Sequence, residues 1–243
     1  MLGVIRSELL KMRHTFSIKL VVLAPLVTVL LGYILSGKSV QYSSYNWWST
    51  MILPLVVSLW SANTIIREKK TGMQNIVCLP VHYKTLWIGK VFAVVILLAI
   101  TQLFMWIITT GFSFFTTMYI SPLSSLMGCI LLFITYLWQI PFVMFLSTRL
   151  EYLGSVLLSL AGNIIFFSIG VEKSWFFINP YAISARITCP FFKMLPNGIP
   201  LQSNSPLLET GYVFPAIIAS LIFALIILWC SSKFFKHGGN CHD

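Results

Sequence analysis

Charge is what this sequence has least of. Of its 243 residues only 9% are Asp, Glu, Lys or Arg, where a soluble domain carries about 25%. Carboxylates are scarcer still. There are six, Glu8, Glu68, Glu151, Glu172, Glu209 and Asp243, and the one aspartate is the last residue. A surface so poor in charge cannot be wetted, so the solvent for most of the chain is lipid. The shortage also excludes chemistry. No H-E-x-x-H occurs, and no carboxylate pair suited to acid–base work. No ionisable group falls at the centre of an apolar run, where proton- or sodium-coupled carriers place theirs. The five cysteines, Cys78, Cys129, Cys189, Cys230 and Cys241, show no C-x-x-C spacing, so neither a zinc site nor a redox dithiol is indicated. Only Cys189 falls on the expected outer side, which argues against a structural disulfide. No small-residue cleavage site follows the first apolar run, so that run reads as a retained span.

What the chain does have is apolar bulk: 58% hydrophobic residues, 15% aromatic and eight Trp. Six apolar segments, at 20–35, 47–66, 91–112, 126–146, 153–171 and 213–229, each approach the roughly 20 residues needed to cross a bilayer. The expected fold is an all-α integral membrane protein with about six transmembrane helices, forming one domain over 1–243. Ahead of the first span, in 1–16, Leu2, Ile5, Leu9, Met12 and Phe16 share one helical face, with Arg6, Lys11 and Arg13 off it. That pattern fits a helix lying in the interface plane, or a plain basic flank to the span.

Orientation follows from the basic residues. With both ends in the cytoplasm, the inner segments hold twelve of the sixteen Lys and Arg, leaving Lys38, Lys173, Arg186 and Lys193 outside. The net charge of +10 is thus read as topogenic anchoring that also favours anionic lipid heads, not as a nucleic-acid surface.

Residues 32–39 satisfy the P-loop pattern G-x-x-x-x-G-K-[ST]. The pattern needs a strand before it, a helix after it and an acidic partner for magnesium. Here a membrane span precedes it, no suitable aspartate exists and the match falls on the outer face, so it is read as accidental. Asn63, Gln102, Gln139 and Asn163 lie within spans, where such residues more often join helices than bind substrate.

Two connections are long. In the inner loop 67–90, Glu68 and Gly72 precede a short amphipathic face of Met73, Ile76 and Val77, which Pro80 stops. Such a segment docks on a soluble partner or rests on lipid heads. The outer segment 172–212 carries Trp175, Phe176, Phe177, Tyr181, Arg186 and Asn197. It suits either an amphipathic peptide held at the interface or an aromatic cap on the spans.

At the inner loop the sequence begins to resemble a known group. Glu68, Gly72, Pro80, Lys84 and Lys90 are similar to the loop of ABC-2 type exporter permeases. The opening stretch 5–16, Asn179-Pro180-Tyr181 with Arg186, and Leu195-Pro196-Asn197-Gly198-Ile199-Pro200 resemble the permease subunits of lantibiotic-immunity ABC transporters, the MutE/EpiE and MutG families. The resemblance implies a non-catalytic subunit in a bacterial cell membrane. It would assemble with cytoplasmic ATPases, which hold the ATP and magnesium, and with a second, different permease. It would expel a lanthionine-containing peptide and hold no cofactor of its own. Glu68, Gly72, Met73, Ile76 and Val77 would then couple to the ATPase. An ABC-2 permease for another amphiphile, such as a drug or lipid, and a membrane scaffold without transport remain alternatives.

Overall fold

The computed structural model describes residues 1–13, 15–70, 83–202 and 204–237. Among them are ten α-helices and a single isolated bridge, Met194 to Pro200. Helix α1 (Leu2–Arg13) precedes the first span, as expected for 1–16. Its apolar stripe divides, however. Met12 is buried and Leu9 packs on the core, while Leu2 and Phe16 point outward. α1 runs along the start of α5 (Tyr83–Ser113), where Gly89 lets Val4 approach closely. It is a packed element of the bundle, beyond a basic flank.

Helix α2 (Phe16–Ser36) leaves this end, turns at Gly37–Ser39, and the chain returns through α3 (Val40–Trp47), a π-helical turn (Trp48–Ile52) and α4 (Leu53–Lys70). Close approach of the two arms requires Gly32, because a Cβ there would collide with Ser44. At the far end of the hairpin Trp60 Nε1 donates to the Ser17 carbonyl at 2.8 Å. The π turn has a visible cause. Pro54 has no N–H to offer the carbonyl of Thr50, and Leu53 N donates to Trp48 in place of Ser49. The two carbonyls left over are met from other helices. Asn163 Nδ2 donates to Thr50 O at 2.7 Å, and the Tyr136 hydroxyl lies 2.6 Å from Ser49 O. In lipid no water is at hand to fill such vacancies.

Helix α6 (Pro122–Thr135) is capped by Ser121, whose side chain accepts from Ser124 N. It breaks at 136–138 and resumes as α7 (Gln139–Arg149), since Pro141 cannot bond the carbonyl of Leu137. A short turn leads to α8 (Tyr152–Phe166), and α10 (Val213–His237) closes the bundle. Among the described residues four apolar helical stretches are long enough to cross a membrane: Phe16–Lys70, Tyr83–Ser113, Pro122–Arg149 and Val213–Lys233. The first is the α2–α4 hairpin and makes two crossings. The protein is a multi-pass membrane-type helical bundle.

α8 ends earlier than the expected span 153–171. Its 15 residues give about 22 Å, short of the ~30 Å hydrocarbon core. The Asn179 amide donates to the carbonyls of Phe166 and Ile169 at 2.7 and 3.2 Å and finishes the helix end. The space beyond is taken by α9 (Pro180–Phe192), which lies against α6. Every residue in 182–189 is buried. Tyr181 meets Trp138 edge-on at 4.8 Å at the α6–α7 break, and Phe192 stacks on Tyr45 at 4.2 Å beside Gly128. The middle of 172–212 is therefore an interior helix and not a surface cap.

Candidate coupling site

The basic end of the bundle is closed by a buried ion cluster. α1 brings Glu8 and Lys11, the last turns of α4 bring Arg67 and Glu68, and the first turns of α5 bring Lys90. Lys90 Nζ lies 3.1 Å from Glu8 Oε2 and 3.0 Å from Glu68 Oε1. Lys11 Nζ bridges the same two carboxylates at 2.7 and 2.9 Å. Arg67 donates to the Lys11 carbonyl at 2.8 Å and stands 3.7 Å from Glu8. Lys90, Glu8 and Glu68 are only 1, 2 and 3% exposed. Charges this deep are tolerated only when paired.

The electrostatics follow from that packing. Burial alone would raise the Glu68 carboxyl, but Lys90 and Lys11 outweigh it and hold Glu68 below the ordinary carboxylate range. Burial would lower the Lys11 ammonium, and hydrogen bonding to Glu8 and Glu68 turns the shift upward. With Glu8 and Glu68 each held between Lys11 and Lys90, the arrangement fastens α1, α4 and α5 together.

The fastening has a position. Lys70 ends α4 and Tyr83 begins α5, so Glu68 and Lys90 stand on the two stems of the connection between these helices, and α1 is tied to both. Of the residues expected to couple, Glu68 is inside this cluster, while Gly72, Met73, Ile76 and Val77 lie outside the described residues. So does the tail 238–243, with Cys241.

The candidates of segment 172–212 separate. Trp175 is 46% exposed, whereas Phe176 and Arg186 are buried, against the expectation that they face a substrate. Phe176 packs on Phe177 at 3.9 Å. Arg186 donates to the Pro206 carbonyl at 3.1 Å and covers the Tyr212 ring. Tyr181 fills the notch at Gly162. Asn197 remains at the surface, on the rim of a cavity of about 320 Å³ with Asn46 and Gly198. The structure does not bring these six together into one face.

A family model described as ABC-2 family transporter protein matches residues 4–168, about two thirds of the chain. The chain belongs to the ABC-2 transporter family. It is a non-catalytic membrane permease subunit, of the kind that pairs with ABC ATPase subunits. No curated protein matches the sequence. The match includes α1 from Val4 onward, both stems of the loop and the ion-cluster residues Glu8, Lys11, Arg67, Glu68 and Lys90, and it stops before α9.

In this ABC-2 permease the P-loop pattern is not a nucleotide cradle. Gly32 sits inside α2 against Ser44, and Gly37–Ser39 forms the turn of a helical hairpin. The four polar residues expected to join helices all do so. Asn63 donates to Ser17 Oγ, Gln102 accepts from Trp48 Nε1, Gln139 donates to Ser159 Oγ, and Asn163 donates to Thr50 O. Glu8 and Lys90 complete the cluster, though the sequence offered Lys90 only as a basic residue of the loop resemblance and Glu8 only within the opening stretch 5–16. A signal was present. In a chain with six carboxylates, an acid on a basic helix four residues before an apolar Met12 marks a buried partner.

Proposed function

We propose that this chain is the permease subunit of an ABC exporter that removes a lantibiotic-type peptide from the cell membrane and so gives a producer self-immunity. The basic end faces the cytoplasm, because twelve of sixteen Lys and Arg flank the spans on that side. Glu68 and the face of Met73, Ile76 and Val77 meet the ATPase there. The observation that carries the coupling role is the buried ion cluster. A push on the loop reaches α1, α4 and α5 together, because their charges cannot separate without leaving a carboxylate unpaired in the interior. The peptide substrate rests on the resemblance of 5–16, Asn179-Pro180-Tyr181 and 195–200 to lantibiotic-immunity permeases. A membrane-embedded amphiphile also fits a subunit with no charged relay in its spans.

The test is protection of a sensitive Gram-positive host by the chain together with its ATPase and a second permease. Survival against a lanthionine-containing peptide should require all three. Glu68→Lys and Ile76→Asp should abolish it with the protein still in the membrane. Expulsion of an apolar drug or a lipid, with no protection against the peptide, would move the assignment to an ABC-2 permease for another amphiphile.

A further inference from the structure

The basic end holds a second charged feature, which the ion cluster does not use. A cavity of about 410 Å³ opens between the last turn of α4 and the α7–α8 connection. Its walls include Ile66, Lys69, Lys70, Arg149, Glu151 and Tyr152. Three of these are cations and one is a carboxylate. Glu151 forms no ion pair with any of the three among the described residues. Burial draws the Lys69 ammonium below its ordinary value, with Glu151 opposing, so part of this net cationic wall is desolvated. The α8 N-terminus opens here without a side-chain cap from Glu151, which adds a smaller positive contribution to that of the cations.

Beside the cavity the surface turns apolar. Leu150 is exposed at its edge, and Leu153, Leu157 and Ile164 continue outward along α8 at 66, 55 and 56% exposure. The spacing of these positions keeps them on one helical face. A free anion would use the cations and ignore this track. An acidic soluble partner would meet the cations and leave the leucines beyond its reach, in lipid. A single molecule that is anionic at one end and apolar along the rest uses both.

We propose that this cavity binds the phosphate headgroup of an anionic phospholipid from the leaflet at the basic end, with its acyl chains along the outward face of α8. Lys69 and Arg149 hold the phosphate, Lys70 adds to the field, and Glu151 limits the affinity by repulsion. The inference goes beyond the coupling role and does not depend on it.

The experiment titrates the full-length chain in a zwitterionic detergent with phosphatidylglycerol, phosphatidylcholine or inorganic phosphate. Bound lipid is read by native mass spectrometry and stability by thermal midpoint. Phosphatidylglycerol should bind and raise the midpoint, while phosphatidylcholine and phosphate should not. Lys69→Gln with Arg149→Gln should weaken phosphatidylglycerol binding about tenfold or more, and Lys19→Gln with Lys233→Gln, an equal change in charge, should leave it intact. Glu151→Gln should tighten binding about threefold, a gain that misfolding cannot produce. The proposal is overturned if the Lys69/Arg149 variant binds as well as the parent, or if phosphate alone gives the same shift. A weaker Glu151→Gln would also overturn it. So would loss of ATPase assembly in the Lys69/Arg149 variant with phosphatidylglycerol binding unchanged, which assigns the cavity to the partner protein.

Discussion

The two ends of this bundle are fastened by different physics. At the basic end Glu8, Glu68 and Lys90 are buried and bond α1, α4 and α5 by charge. At the opposite end α3, α6 and α9 are joined by ring stacking and amide bonds. Tyr45 stacks on Phe192. The Gln41 carbonyl oxygen accepts from Tyr119 N and Ile120 N at 2.7 and 2.9 Å, and its amide donates to Ile120 O at 3.2 Å. Arg186, the buried cation of that half, has a carbonyl and a ring for company and no carboxylate among the described residues. Charge pairs act between elements distant in sequence and punish the loss of either partner. Packing tolerates a lost bond but not added volume. The end proposed to relay a partner's work is the one built on charge.

Removing a partner at the basic end should have the largest effect. Lys90→Met strips the buried one of the two cations shared by Glu8 and Glu68, and should cost about 3–5 kcal/mol in denaturant unfolding of the purified chain. At the other end, volume should matter more than charge. Gly128→Val drives methyl groups into the Phe192 ring and should cost about 1–3 kcal/mol. A similar penalty for Arg186→Met as for Lys90→Met would erase the distinction between the ends. Between the two, Asn163→Leu leaves the Thr50 carbonyl without its donor and should cost about 1–2 kcal/mol, with Asn163→Asp no rescue because it brings no N–H.

The smallest effect sharpens the comparison through pH. Glu68 is held below its ordinary value of 4.5, so its contribution is complete above that pH and fades as pH falls through the lower, folded value. Lys11 is raised above 10.5, so its contribution is complete below that pH and is lost as pH rises through the higher, folded value. The contribution of these two groups to the thermal midpoint should be flat between these limits and fall outside them. In Glu68→Gln the acid-side fall should shrink.

Much of this fold is legible in the sequence because its signals are local. Apolar runs give the spans, Pro54 and Pro141 mark where helices must deform, and isolated amides inside apolar runs are joints between helices. The interior position of α9 is not legible in that way. Segment 172–212 has aromatic and polar residues mixed as at an interface, and only the early end of α8 makes room for it among the spans. The ion cluster was half visible. Glu68 stood out beside the loop, but its partners come from residues far along the chain, and no spacing rule links Glu8 to Lys90. The accidental P-loop match shows the reverse error, a regular pattern whose glycines serve helix packing and a turn.

The central claim is that the ion cluster carries force between the loop and the spans, and transport per ATP tests it most directly. The assembled transporter with Glu68→Gln keeps the shape of the side chain and removes one charge from the cluster. ATP hydrolysis should persist near the parent rate, while substrate expelled per ATP should fall about tenfold. Unchanged expulsion per ATP in that variant, with assembly intact, would contradict the account.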